Sequence, residues 1–437
     1  MAQTHWDEER LGCFVRGELA RSEMKQLVRH LIGGCASCEE GLRPWMELAR
    51  HDHPVDVKFF ELDGYEAAIE RACEGASRAI ERRERRSVEN REIAVDARMF
   101  GLRGIPLVHE LLQQSFDSRY RAPWEMWRLA YLARLVADSL DSAYLGPQAV
   151  ADAQASAWAE LGNAYRVIDE FDDADSALTH AESCLMLGSK SKVLLARIVD
   201  LRASLCYSTR QLPEAIALLG AVFEIHLELG NSHLAGRALS SKGLYLQYAG
   251  RSVEAKRVLL ESLELLDATL DPQLVVSTRQ CLLRALVEAG EYHEAARLFL
   301  RSGLAKDLAA EPLNLIRLRW LEGQIFAGLG KRNRAEACFA GVRQEFLEGE
   351  LRYDAGLVGL DLAAVWLELG RTNEAAELAR EILGTFRELG VEPEAVRALE
   401  FLEKACARAI ATSLIVRRVS RFLQLLEHQP KLRFQGL

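Results

Sequence analysis

Gly250-Arg-Ser-Val-Glu-Ala255 returns as Gly290-Glu-Tyr-His-Glu-Ala295, Gly330-Lys-Arg-Asn-Arg-Ala335 and Gly370-Arg-Thr-Asn-Glu-Ala375. The phrase G-x-x-x-[ER]-A therefore recurs every 40 residues, and its alanine continues upstream to Ala215 and Ala174 at spacings of 40 and 41. On both sides of each alanine the apolar residues fall at helical intervals. A glycine that tolerates a positive φ ends one helix, a short turn follows, and a small residue stands where the next helix touches it. Six copies at a fixed period predict an all-α solenoid of helical hairpins, each burying its apolar face against its neighbours.

Composition agrees. A chain of 437 residues is too long for one ordinary core but suits a repeat array with a small extra domain. Only 10 prolines and 7% aromatics, with abundant Leu, Ala, Glu and Arg, favour helix over sheet. The net charge of −9 is spread along the chain, which argues against bulk nucleic-acid binding through a positive field. Met1-Ala-Gln-Thr-His-Trp6 lacks a basic segment followed by an apolar run, so no signal peptide is expected. No stretch approaches the roughly 18 apolar residues of a membrane span. Nine cysteines, an odd number scattered along helical faces, fit a reducing compartment. The expectation is a cytoplasmic protein.

Around the array, residues 1–50 carry three cysteines and no forty-residue echo. Residues 51–103 read as a charged helical linker containing Glu81-Arg-Arg-Glu-Arg-Arg86. Pro106 and Pro123 punctuate helices expected near 105–118 and 124–143, a capping hairpin over 104–146. Repeats are expected over 147–392, capping helices over 393–428, and a frayed tail over 429–437.

The first repeat reads Trp158-x2-Leu161-Gly162-x2-Tyr165, followed by Ala174, Leu178 and Ala181. This resembles the tetratricopeptide repeat, whose signature is W-x2-L-G-x2-Y with small residues in the second helix. The later copies are degenerate but keep register: Gly243 and Leu246 before Ala255, Gly323 and Phe326 before Ala335, Ala363 and Trp366 before Ala375. The resemblance implies a right-handed α-solenoid. The period of 40 exceeds the family's usual length, roughly 34, by nearly one turn per helix. Such long repeats look like those of bacterial signalling and transcription-regulator sensor modules.

The sharpest local chemistry is Gly17-Glu-Leu19…His30-Leu-Ile-Gly-Gly-Cys35-Ala-Ser-Cys38. An imidazole followed within about a turn by C-x2-C suits tetrahedral zinc, and Gly33-Gly34 lets the chain fold the thiols back toward His30. The alternative is a reduced apolar mini-core. The stretch resembles the zinc-binding domain of anti-sigma factors, with Gly17-Glu18-Leu19, His30-Leu31 and Gly34-Cys35-x2-Cys38 matching its pattern. One departure is four residues rather than three between His30 and Cys35. In that family a cysteine commonly precedes the G-E-L glycine by about twelve residues, and His5 occupies the place here. The resemblance thus implies ligands His30, Cys35, Cys38 and His5, with Cys13 the alternative fourth. Zinc so held would be structural, because no position remains open for water. His51-Asp52-His53 reads as a surface turn, and Cys73, Cys184, Cys206, Cys281, Cys338 and Cys406 read as small core residues.

In tetratricopeptide arrays the first helix of each pair lines the concave surface. Carried over in register, the inner positions are Ser156, Asn163 and Arg166, then Arg237, Ser240 and Gln247, then Gln280 and Arg284, then Arg317 and Gln324. One arginine in each of these repeats facing the groove favours an acidic peptide, a carboxylate or a phosphate backbone; exposed helix faces also carry arginine by default. The paired Asn and Lys of carboxylate-clamp domains are not reproduced.

No P-loop, G-x-G-x-x-G, G-x-S-x-G or H-E-x-x-H occurs in a supporting context, and nothing argues for catalysis. The expectation is a non-enzymatic adaptor or regulator: a zinc module for one partner and a solenoid groove for a second, protein or peptide, partner. The rivals are a plain peptide-binding scaffold and a nucleic-acid-associated regulator using Arg82, Arg83, Arg85 and Arg86 with the groove arginines.

Overall fold

The computed structural model describes residues 5–7, 10–11, 27, 30, 37–38, 104–407 and 410–434. The chain divides into two units, Met1–Gly101 and Leu102–Leu437. Expectations for Cys13, Cys35, Cys73, His51–His53 and the arginines of 82–86 fall outside the described residues.

The second unit is a tetratricopeptide-like solenoid. It opens with a hairpin of α1 (Ile105–Ser118) and α2 (Pro123–Asp138), then one short turn, α3 (Ser142–Leu145). Six pairs follow: α4 (Pro147–Val167) with α5 (Phe171–Leu187), α6 (Lys192–Ser208) with α7 (Leu212–Glu228), and α8 (Ser232–Tyr248) with α9 (Ser252–Leu265). Next come α10 (Pro272–Glu288) with α11 (Tyr292–Ser302) and the single-turn α12 (Leu304–Asp307), α13 (Pro312–Gly328) with α14 (Arg332–Glu348), and α15 (Arg352–Glu368) with α16 (Thr372–Glu388). Two helices end the chain, α17 (Pro393–Ala407) and α18 (Ser413–His428).

The helix starts are written locally. Pro147, Pro272 and Pro312 stand in first turns, where no backbone donor is needed. Ser191, Asn231 and Asp271 cap α6, α8 and α10 through side-chain oxygens that accept from Leu194, Leu234 and Leu274 N–H.

The turn inside each pair is equally regular. Gly250, Gly290, Gly330 and Gly370 have φ between 73° and 79°, and the following residue donates back five positions, as in Arg251 N–H to Leu246 O at 2.8 Å. That is a left-handed helix end closed by a 6→1 bond. The first two pairs make the same closure with Asp169 and Arg210 at φ 61° and 64°. The glycine phrase is absent there because the conformation is met by residues that carry a Cβ.

Every alanine of the ladder is buried, at 1% exposure or less. A larger side chain there would drive the paired helices apart. The same closeness explains Gly243 and Gly323: a Cβ on Gly243 would lie 2.5 Å from Leu259 Cδ2, and one on Gly323 2.6 Å from Phe339 Cε1. The core runs along the array as successive clusters around Leu178 and Ile198, Leu259 and Leu283, then Phe339, Phe346 and Phe386. One pair is irregular. Its second helix stops at Gly303, φ 69°, and α12 swings Leu304 and Leu308 into the space the missing turns would fill.

Cys184 and Cys206 are buried, and Cys281, Cys338 and Cys406 half-buried, all as free thiols. Burial pushes the Cys281 thiol up.

The carboxy-terminal helices do more than close the end. α18 turns back and lies along α15, with Arg417 beside Glu368, Ser420 beside Asp361 and Glu427 near Asp354. The tail from Gln429 to Phe434 is anchored rather than frayed over its described length: Phe434 N–H donates to Glu394 Oε2 at 2.8 Å, and its ring packs on Phe401 and Phe422. An aromatic residue near the end supplies enough buried surface to hold it.

Candidate functional site

The inner face is lined by the first helix of each pair. On the amino-terminal part of that face, Asn163 is buried and accepts from Arg166 Nη2 at 2.9 Å and Nε at 3.2 Å. Burial pulls the Arg166 guanidinium below its ordinary value. Ser156 is turned onto its own helix, donating to Asp152 O. Arg197 grips Glu160 with two bonds of 2.7 and 3.0 Å and reaches Asp200 at 3.4 Å; Arg237 approaches the same Asp200 at 4.0 Å. Ser240 Oγ lies 2.7 Å from Thr278 Oγ1.

Further along, Gln247 is buried and donates from Nε2 to Cys281 O at 2.7 Å, while its Oε1 has no hydrogen-bond partner. Arg284 forms no ion pair among the described residues, and Gln280 is half-buried beside it. Arg317 approaches Asp354 at 3.8 Å. Gln324 Nε2 and Trp320 Nε1 both donate to Asp361 Oδ2, at 2.8 and 2.7 Å. Burial raises the Asp361 carboxyl against the pull of those two bonds and of Arg417.

Gln247, Tyr248, Arg284, Arg317, Trp320 and Gln324 surround a cavity of about 470 Å³. Four of the predicted groove residues therefore line one space, and Asn163, Arg166 and Arg237 do not. A second, shallower depression lies beside Ile105, His109, Glu110, Gln113 and Leu145 at the opening hairpin.

Much of the remaining wall comes from α15, through Asp354, Leu357 and Asp361, and from α18, which the sequence reading left as a cap. Arg421 Nη1 pairs with Glu288 Oε1 at 2.9 Å, and its Nη2 donates to Ser252 Oγ at 3.2 Å. Arg417 Nη2 pairs with Glu368 Oε1 at 2.6 Å. His428 stacks on Tyr248 with ring centroids 3.7 Å apart, and Gln429 Nε2 donates to Tyr248 O at 2.8 Å. Burial, with Arg210 and Arg284 nearby, pushes His428 down to about 4, so its ring is neutral at pH 7. Burial pushes the Tyr248 phenol up to about 12. A signal for α18 existed: Val416, Val419, Leu423 and Leu426 mark one apolar helix face, flanked by Arg417 and Arg421. The sequence reading also missed Glu160, Asp200, Asp354 and Asp361, the carboxylates opposite the groove cations.

In the first unit, His5, His30 and Cys38 offer ligand atoms that all lie within 4.8 Å of one another. His30 Nε2 is 3.3 Å and His5 Nδ1 4.0 Å from Cys38 Sγ. Two ligands of one tetrahedral zinc stand about 3.5 Å apart, given bonds of about 2.0 Å to nitrogen and 2.3 Å to sulfur. Cys38 is buried and accepts from Trp6 N–H at 3.4 Å, a bond that favours thiolate. The donor set and spacing fit zinc.

No helix among the described residues is long and apolar enough to cross a membrane. No family model matches the chain, and no curated protein matches it in sequence. Solved structures do. The apo form of the quorum sensor NprR from B. thuringiensis superposes with a TM-score of 0.53 at 13% identity, over 75% of this chain and 95% of that one. A Rap protein complexed with Competence and Sporulation Factor gives 0.50 at 12% identity, over 75% and 94%. At these identities the likeness is one of fold: both share the tetratricopeptide-like solenoid described above.

Proposed function

We propose that the protein is a non-enzymatic regulator that holds a protein or peptide partner against the inner face of its solenoid. The observation that carries this reading is the cavity between α8, α10, α13 and α15, where Arg284, Arg317, Trp320 and Gln324 converge. The fold supports it, since a solved relative is a Rap protein complexed with Competence and Sporulation Factor. The carboxylates beside Arg237 and Arg317 make this a mixed-charge face, which suits a peptide with both signs better than a uniform phosphate backbone. A photo-reactive residue at Gln324 should crosslink a partner in cells, while one at the exposed Ser176 of α5 should not. Equal labelling from both positions would remove the groove from the account.

The second element of the proposal is structural zinc in the first unit, held by His30, Cys38 and Cys35, with His5 or Cys13 as the fourth ligand, serving a second partner in the manner of anti-sigma domains. The closeness of His5, His30 and Cys38 supports it. A domain of about fifty residues buries little, so metal binding would contribute directly to its folding. Protein purified without added metal should carry one zinc per chain, and Cys38→Ser should lose it while the solenoid keeps its helicity. Metal-free wild-type protein under reducing conditions would leave an ordinary mini-core.

A further inference from the structure

We propose that the inner face of α8, α10, α13 and α15 is a receptor for one amphipathic helix edged with arginines. On this view α18 is its resident occupant, and a partner helix of the same pattern takes its place. The inference deepens the groove reading given above and rests on it.

Repeats of a solenoid contact their neighbours. α18 breaks that rule. It joins residues 133, 169 and 181 positions apart, through Arg421 to Glu288, Arg421 to Ser252 and Gln429 to Tyr248. It lies along the inner face of α15 and touches the far wall of the groove at the same time, as a bound peptide helix would.

The interface has the composition of a helix-in-groove complex. Val416, Val419, Leu423 and Leu426 are buried at spacings of three, four and three, one face of a helix. Along the edge of that face Arg417 and Arg421 of the helix meet Glu368 and Glu288 of the groove, and at its end Glu427 of the helix lies near Arg284 and Arg317 of the groove. Glu288 and Glu368 are 15% and 17% exposed; the array itself gives Glu288 only the Ser252 hydroxyl, whereas Glu368 also holds Arg332 at 3.0 Å. Removing Arg421 would leave Glu288 a largely desolvated carboxylate without a cation, which is the origin of the face's selectivity for a basic-edged helix.

α18 also fits imperfectly, which allows exchange. The cavity of about 470 Å³ persists between it and the repeats. Gln247 Oε1 and His428 Nδ1 are buried without partners, and Arg284 has no ion pair among the described residues. A helix that filled this space and met those groups would hold the face more tightly. α18 is joined covalently on one side to the array, and the repeat cores of α4–α13 form without it.

The probe is a fluorescent synthetic peptide of residues 412–429, and the protein is the full chain. An attached helix competes at an effective concentration in the millimolar range, so the wild type should bind the peptide weakly. Arg417→Glu with Arg421→Glu sets like charges against Glu368 and Glu288 and should release α18, raising peptide affinity at least tenfold. Adding Glu288→Arg and Glu368→Arg to that variant should return the affinity to background. Circular dichroism confirms folding, and the milder Arg421→Gln, expected to gain a few-fold, serves if the double variant does not fold. Equal binding to wild type and variants, or none to a folded variant, would overturn the proposal. So would a wild-type dimer that the free peptide dissociates, because the seat would then belong to a second copy. If a partner crosslinks at Gln324 with α18 still protected from exchange, the groove function stands and this inference alone falls.

Discussion

The two halves of the inner face solve the same electrostatic problem differently. Along α4, α6 and α8 the charges neutralise one another between neighbouring helices: Arg197 bridges Glu160 and Asp200, Arg237 shares Asp200, and Tyr207 stacks on Tyr245 at 4.5 Å. Along α10, α13 and α15, Glu288 and Glu368 are met by arginines from the end of the chain, Glu368 also by Arg332, and Arg284 lies near Glu427 of α18 without a close ion pair among the described residues. A face closed by its own repeats is a scaffold. On the proposal above, a face closed by an exchangeable helix is a binding surface.

The largest expected effect breaks the second half alone. Phe339 is fully buried in the cluster of α13–α18, and Phe339→Ala should cost about 3–5 kcal/mol. Because coupling in a solenoid passes through neighbours, denaturant unfolding monitored by hydrogen exchange should show α13–α18 opening before α4–α7. Simultaneous loss of protection in both halves would deny the division.

A smaller effect separates the two kinds of ion pair. Arg421→Gln should destabilise by about 1–2 kcal/mol and show itself as faster exchange confined to α18 and the end of α8. Glu160→Gln should cost a similar amount and release no helix. If both variants changed exchange over the whole array, the distinction between scaffold and binding face would fail.

Acid should loosen the second half through His428. Its folded value, about 4, lies below the ordinary 6.5, so the unfolded chain binds the extra proton. The stability this contributes is intact above pH 6.5 and is lost as pH falls toward 4. After discounting for its partial exposure, the loss between pH 7 and 5 is about 1 kcal/mol. Asp361 and Glu427 act in the opposite sense, because burial raises both carboxyls and acid relieves them. The test is therefore a difference: α18 protection should fall more steeply with acid in wild type than in His428→Phe. Parallel pH profiles would remove His428 from the account.

The smallest effect belongs to the first half. Arg210 sits at φ 64° where later repeats have glycine. Arg210→Gly should be more stable than Arg210→Ala by about 1 kcal/mol, the comparison cancelling the lost charge. Thermal midpoints in the reverse order would mean that the turn carries no strain.

Much of this was legible in the residues. The forty-residue ladder marked the buried alanines, Gly243 and Gly323 marked close helix approaches, and the register placed Gln247, Arg284, Arg317 and Gln324 on one face. The acids opposite were also present in the sequence. Gln324 reaches Asp361, and Arg197 reaches back to Glu160, each 37 residues apart. That offset is one period less about one helical turn, and it has meaning only once first helices of successive pairs are known to lie side by side. In the first unit, His30 and Cys38 were read from type and spacing and His5 from the family resemblance, and their ligand atoms lie within 4.8 Å of one another.

The sequence by itself determined what depends on short separations: helix starts and stops, left-handed turns, and the small residues where paired helices touch. These are set within one period, so their signals repeat and reinforce one another. Only the tertiary structure decided where α18 lies. Its seat depends on rotations accumulated over several repeats, which bring Tyr248 and Glu288 across the groove from Glu368, and no local pattern encodes a sum of that kind. The same accumulation decided which arginines are neutralised and which face the cavity. Identity and periodicity are properties of the chain, whereas pairing across a groove is a property of the space the chain encloses.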